Sequence, residues 1–179
     1  YSVTYNGNTS TGGTAPTDAT VYHYGDTATV LGNTGALVKT GYTFAGWNTA
    51  ANGSGTSYTG GDTFAIGLSD VTLYAQWTAV DYSVTYNGNT STGGAVPTDG
   101  NTYHITDTVT VLGNTGALVK TGYTFAGWNT AANGSGTGYA GGNTFAMGSS
   151  NVVLYAQWTA IPYTVTYNGN TSTGGAAPT

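Results

Sequence analysis

The pentapeptide YSVTY stands at Tyr1 and again at Tyr82, and its variant YTVTY follows at Tyr163, so the chain returns to its opening every 81 residues. The offset holds without insertion: Trp47 maps onto Trp128, Trp77 onto Trp158, and Pro16 onto Pro97 and Pro178. An unbroken period of this length constrains the fold more than any single motif, because whatever one copy forms its neighbour must form too. The reading is two whole modules, residues 1–81 and 82–162, followed by the first strand and turn of a third, truncated repeat over residues 163–179. A chain that opens on Tyr1 and stops in mid-module reads as a piece of a longer tandem array.

Inside a module the hydrophobic pattern has a period of two. Val3 and Tyr5 alternate with Ser2 and Thr4 ahead of an Asn6-Gly7 turn, and ATVYHY (19–24) and TATVL (27–31) alternate around a Gly25-Asp26 turn. In DVTLYAQWT (70–78), Val71, Leu73, Ala75 and Trp77 fall on one face and Thr72, Tyr74, Gln76 and Thr78 on the other. Helical spacing is confined to Thr34 to Val38 and Ala65 to Ser69, both short and flanked by glycine. The expected class is mainly β with a small α content. Phe44, Trp47 and Trp77, repeated as Phe125, Trp128 and Trp158, are expected at alternating strand positions of the core together with Phe64 and Leu73. Each such side chain contributes about 1.5 to 3 kcal/mol when buried, so a few decide whether so small a module folds.

The surface must be built without charge. Only 5% of residues are charged, with two lysines, no arginine, seven aspartates and no glutamate, for a net charge of -5. Such a chain has nothing to pair with phosphate, which argues against nucleic acid and anionic lipid as partners. It has no run of about 18 apolar residues, so no membrane insertion is expected in this segment. The absence of cysteine excludes disulfides and thiolate metal sites.

The stretch GYTFAGWNTAANGSGT is identical at 41–56 and 122–137, which raises the question of a duplicated active site. It contains no acid, histidine or thiol. Elsewhere Asp62, Asp70 and Asp81 become Asn143, Asn151 and Pro162 in the second copy, so a mechanism resting on them would fail there. Asp18, Asp26, Asp99 and Asp107 recur in turn contexts, and His23 and His104 stand alone in expected strands without a second ligand at metal spacing. No catalytic, cofactor or metal residues are assigned, and no enzyme is expected. Lys39 and Lys120 invite a Lys-Asn isopeptide crosslink, but no glutamate is present to assist one. Asn8, Asn52, Asn89, Asn133 and Asn170 each begin an N-x-[ST] sequon, a pattern that chance also supplies in an Asn- and Thr-rich chain.

The order VTYNGN, Pro16, YGDTATV, GYTFAGWNTAANGSGTSY, GDTF and TLYAQWT resembles the Listeria-Bacteroides repeat, the B-repeat class of internalin-like and other microbial surface proteins. The resemblance covers essentially all of both copies. It implies a small β-grasp, ubiquitin-like module used in tandem as a spacer or adhesive stalk of a secreted or wall-attached protein, with no catalytic residues. The scarcity of Lys and Glu leads to the expectation that loops replace the helix of a β-grasp. The joints, TAV-Asp81 and TAI-Pro162, are short enough to favour a semi-rigid string of modules. Function is thus expected to be structural and adhesive at the cell surface, as stalk or filament, with neighbouring repeats or other copies of the chain as partners through filament or strand-addition contacts. The alternative is a multivalent array binding carbohydrate or a host receptor through its aromatic residues.

Overall fold

The computed structural model describes residues 1–171 and 173–176. All regular structure among them is β. The first copy contains β1 (Val3–Asn6), β2 (Thr27–Thr29), β3 (Tyr42–Asn48), β4 (Ser57–Tyr58), β5 (Thr63–Ala65) and β6 (Val71–Ala79). The second repeats them as β7 (Val84–Asn87), β8 (Thr108–Thr110), β9 (Tyr123–Asn129), β10 (Gly138–Tyr139), β11 (Thr144–Ala146) and β12 (Val152–Ala160). Each copy forms a four-stranded sheet, ordered β1-β6-β3-β4 in the first, and a two-stranded one, β2-β5. The chain packs into two compact units, the first comprising Tyr1–Ser83 with Gly100–Val109 and Thr144–Val152.

The first and last strands of a copy lie side by side and parallel, Val3 opposite Val71 and Asn6 opposite Tyr74. β3 then pairs antiparallel with the other edge of β6. Leu73 and Ala75 of this central strand are fully buried, as the alternation in DVTLYAQWT requires, and Val3, Val30, Leu37, Trp47 and Ile66 close the core around them. The same positions are buried in the second copy, with Met147 in the place of Ile66.

Three local expectations are corrected. Thr34 to Val38 is a turn leading into an isolated β-bridge at Val38, and Ala65 to Ser69 ends β5 and bends; no helix occurs among the described residues. Glycine on both sides and only five residues leave too few i to i-4 bonds to offset helix nucleation. ATVYHY is not a strand either: only Tyr22 of this run is fixed by the sheet edge, its N–H donating to the Tyr1 carbonyl at 2.8 Å, while Val21 and Tyr24 point to solvent. His23 therefore lies in a turn and is largely exposed, where a half-buried strand residue was expected.

The alternation also fails in β3, for a reason that matters. Phe44 and Trp47 are three residues apart and would face opposite sides of a regular strand. Between them the register slips, Phe44 lying opposite Trp77 and Gly46 opposite Gln76, so Ala45 is an extra residue bulged to the surface. Gly46 carries the bulge at φ +119°, and a Cβ there would sit 2.8 Å from the Tyr58 carbonyl oxygen, which only glycine accommodates. The bulge turns both rings to the same core.

Candidate functional site

The aromatic residues of the invariant stretch are used internally. Trp47 is 1% exposed; its indole N–H donates to the Leu31 carbonyl at 2.9 Å while the Leu31 N–H donates to the Tyr5 hydroxyl at 2.8 Å. Tyr5 and Phe44 meet Trp47 edge-on with ring centroids 4.8 and 5.1 Å away, and Phe44 meets Trp77 at 5.7 Å. Trp77 donates to the carbonyls of Gly7 and Asn8, pinning the turn after β1. Phe125, Trp128 and Trp158 reproduce these contacts in the second copy, at centroid distances of 5.1 and 5.8 Å. Buried polar tips thus find partners and the rings meet edge to face, with Trp47 and Trp128 buried and Phe44, Trp77, Phe125 and Trp158 half-buried beside them.

The other half of the stretch is organised by a residue that sequence reasoning passed over. Asn48 ends β3 with no exposed surface. Its side-chain amide donates to the carbonyls of Gly53 and Gly55 and to the Ser57 hydroxyl, and its Oδ1 accepts from the N–H groups of Ala50 and Gly55. A loop of Ala, Asn, Gly and Ser has no apolar anchor of its own, so this amide is what holds it. Asn129 makes the same bonds to Ala131, Gly134 and Gly136, but Gly138 in the second copy supplies no hydroxyl. The available signal was the placement of an invariant Asn at the junction of a core strand and a Gly-rich loop.

The model of the Listeria-Bacteroides repeat domain matches residues 1–76 and again residues 82–157. The chain belongs to the Listeria-Bacteroides repeat family. A protein of Evansella cellulosilytica named "Putative Gly-rich membrane protein" is 37% identical over 179 residues, covering 95% of this chain and 20% of its own length. Internalin H of Listeria monocytogenes is 38% identical over 127 residues, 69% of this chain and 20% of its own. The chain thus spans about a fifth of these relatives. No solved structure matches it.

In this Listeria-Bacteroides repeat pair several ionisable side chains serve turns, while Asp70 accepts from the distant Ser2 N–H at 2.8 Å and Asp81 lies 3.1 Å from His104 Nε2. Asp26 accepts from the His23 N–H at 2.7 Å and Asp107 from that of His104. Asp62 accepts from both the N–H and the hydroxyl of Thr59, which hold its carboxyl below the ordinary value; Asn143 makes the same turn with Ala140 as a neutral isostere. Asp18 is raised by desolvation, but hydrogen bonds from Thr20 and the Tyr22 hydroxyl outweigh this and leave its carboxyl below the ordinary range. Lys39 donates to the Thr9 hydroxyl at 2.9 Å and lies 4.4 Å from the centre of the Tyr42 ring, and Lys120 does the same with Thr90 and Tyr123. Among the described residues no three acidic or imidazole groups gather as metal ligands, and no helix is long and apolar enough to cross a membrane.

The sequons divide by geometry. The Asn8 amide nitrogen is spent on the carbonyls of Ala51 and Ala75, as that of Asn89 is on Ala132 and Ala156. Asn52 and Asn133 sit exposed at loop tips, with Oδ1 accepting from the following Ser54 and Ser135. Asn170 is exposed, but its sequon ends at Ser172, outside the described residues.

One recess recurs. A cleft of about 320 Å³ lies between Val3, Thr4 and Tyr5 of β1 and the segment Ala15, Pro16, Thr17 and Asp18. Its counterpart in the second copy, about 220 Å³, is lined by Val84, Thr85, Tyr86 and the segment Val96 to Asp99.

Proposed function

We propose that this pair of repeats is a spacer segment of a secreted microbial surface protein, transmitting position and tension as part of a stalk or fibre. The observation that supports the reading is the parallel pairing of β1 with β6. Because the two strands run the same way, the chain enters a copy level with Val71 and leaves it at Ala79. Eight residues of strand separate these levels, so each copy carries the backbone forward by about 26 Å. Tension across a copy then loads the β1–β6 hydrogen bonds together in shear, where they must break as a group. An antiparallel pair of terminal strands would return the chain to its starting end and unzip bond by bond. The parallel terminal pair beside an antiparallel β3 fits a β-grasp core in which loops stand in place of the helix. The repeated aromatic contacts and turn bonds, equal in both copies, support a role that depends on repetition.

Pulling the full chain by single-molecule force spectroscopy tests this. Freeing the residues between Val3 and Ala79 should lengthen the chain by about 250 Å, from extended residue length less the folded span, in two equal steps. A featureless extension, or two steps at forces no higher than those of an unzipping hairpin, would refute the load-bearing role.

A further inference from the structure

We infer that the turn at residues 104–107 is a docking element by which one repeat clasps the end of the repeat before it and lends that end protection. The surface it takes is the corner formed by Gly41, Tyr42, Ala79 and Val80, and this holds whether or not the chain is a spacer. The first compact unit contains both partners, since it takes in Gly100–Val109 and Thr144–Val152 of the second copy along with Tyr1–Ser83. Inside that unit Ile105 lies directly on Gly41: a Cβ added to the glycine would stand 2.6 Å from Ile105 Cγ2 and 2.8 Å from its Cβ. A glycine at φ +78° thus makes a floor without a side chain, and the isoleucine fills it.

The second copy supplies the control. Gly122 has the same backbone conformation, φ +79°, with open space where Gly41 meets Ile105. Gly41 is buried and Tyr42, Ala79 and Val80 are half-buried, whereas Gly122 is half-buried and Tyr123, Ala160 and Ile161 are exposed. The turn shows the same contrast from its own side, because Ile105 is half-buried while its counterpart Tyr24 is 71% exposed. The backbone beneath is equal in both copies: the Val80 N–H donates to the Gly41 carbonyl, and the Ile161 N–H to that of Gly122, each at 2.9 Å. Cover distinguishes the two corners, and their own hydrogen bonding does not.

A polar contact flanks the apolar one. His104 Nε2 lies 3.1 Å from Asp81 Oδ1, and its Nδ1 lies 3.5 Å from Asp107. In the first copy His23 meets Asp26 at 3.4 Å, with its side chain 85% exposed against 46% for His104. The residues that build the contact change between copies, Tyr24 to Ile105, Val80 to Ile161 and Asp81 to Pro162, while the Gly-Tyr floor does not. The corner is therefore a common socket, and the turn and joint residues set how firmly each repeat grips its predecessor. That is a nearest-neighbour coupling of the kind that stabilises repeat arrays.

Amide hydrogen exchange of the full isotope-labelled chain, read residue by residue, tests this. In the unaltered chain the Val80 N–H should be protected at least about tenfold more than the Ile161 N–H. Ile105→Asp should lower the protection of Val80 at least about tenfold and leave Ile161 and the amides of β9 within about twofold. Fraying at Ile161 would give the first result but not the second. Tyr24→Asp, at the uncovered counterpart, should change neither. Gly41→Ala should displace the Ile105 methyl resonances, whereas Gly122→Ala, strained equally by its φ, should leave them in place. Equal protection of Val80 and Ile161, a Val80 amide indifferent to Ile105→Asp, or a loss in β9 as large as that at Val80 would each overturn the inference. Ile105 methyls that respond alike to both glycine substitutions would overturn it too, and that comparison remains decisive if Ile105→Asp misfolds.

Discussion

Replacing Asn48 with alanine removes the anchor of the 49–56 loop while leaving every apolar contact in place. Asn48 has two amide hydrogens shared among three acceptors and one carbonyl oxygen accepting twice, so about four full hydrogen bonds are at stake. At about 0.5 to 1.5 kcal/mol net each they sum to roughly 2 to 6 kcal/mol. The exposed glycines of the loop can be rehydrated after the change, which points to the lower half, about 2 to 4 kcal/mol. A module of this size is stable by about 4 to 12 kcal/mol, so with both ranges taken at their middles the first copy should lose roughly a third of its margin. Asn129→Ala should cost about as much, because its two amide hydrogens still find the Gly134 and Gly136 carbonyls and only the third, shared acceptor, the Ser57 hydroxyl oxygen of the first copy, is missing. Asn48→Asp should be worse than alanine at pH 8, since a carboxylate would face two carbonyl oxygens. Its folded-state pKa would be raised, so the penalty should shrink as the pH falls toward 4. Urea unfolding followed by amide hydrogen exchange reads the two copies separately. A loss below about 0.5 kcal/mol in either copy would refute the view that this amide organises the loop.

Gly46→Ala places a Cβ 2.8 Å from the Tyr58 carbonyl in a backbone conformation that L residues avoid, so a loss of about 2 kcal/mol or more is expected in thermal unfolding, against little effect of Ala45→Ser on the exposed bulge. Thr106 takes φ +71° where the first copy has Gly25 at +86°, so Thr106→Gly should stabilise the second copy by about 0.5 to 1 kcal/mol despite the more flexible unfolded chain, detectable as a higher urea midpoint. Asp18 and Asp62 have depressed folded-state values, so their contribution is present above an unfolded value of about 3.9 and is lost as pH falls through the folded one. The unfolding midpoint should therefore be flat from pH 9 to about 4.5 and fall slightly below that, more in the first copy, which carries Asp62 where the second has the neutral Asn143; a large loss above pH 5 would contradict this. In a host with an oligosaccharyltransferase, glycans should appear by peptide mass mapping on Asn52 and Asn133 and be absent from folded Asn8 and Asn89, whose amide nitrogens are already committed.

Much of this was legible because it depends on short-range rules. The period predicts equal copies, and the equality reaches individual bonds: the Trp47 and Trp128 indoles each donate over 2.9 Å, to Leu31 and Leu112. DVTLYAQWT reads correctly as a strand with one buried face, and Asp18, Asp26 and Asp107 accept from backbone N–H groups two or three residues away, because alternation and side chain to backbone bonding within three residues are local effects. ATVYHY misled for the complementary reason. It alternates, yet the edge it would join is occupied only at Tyr1, and alternation without a partner strand does not make a strand.

The sequence alone settles the repeat, the mainly β character, the low charge and the aromatic composition of the core, since each follows from pattern or count. Three things needed the packed chain. The bulge that turns Phe44 and Trp47 to one core depends on β6 offering one residue opposite two. The Asn48 network depends on a loop folding back over the end of its own strand. The parallel pairing of β1 with β6, which sends the chain forward, joins residues 68 positions apart. Contacts across such a separation leave no periodic trace in the residues that make them, because loop closure and burial, and not local conformational preference, decide which partners meet.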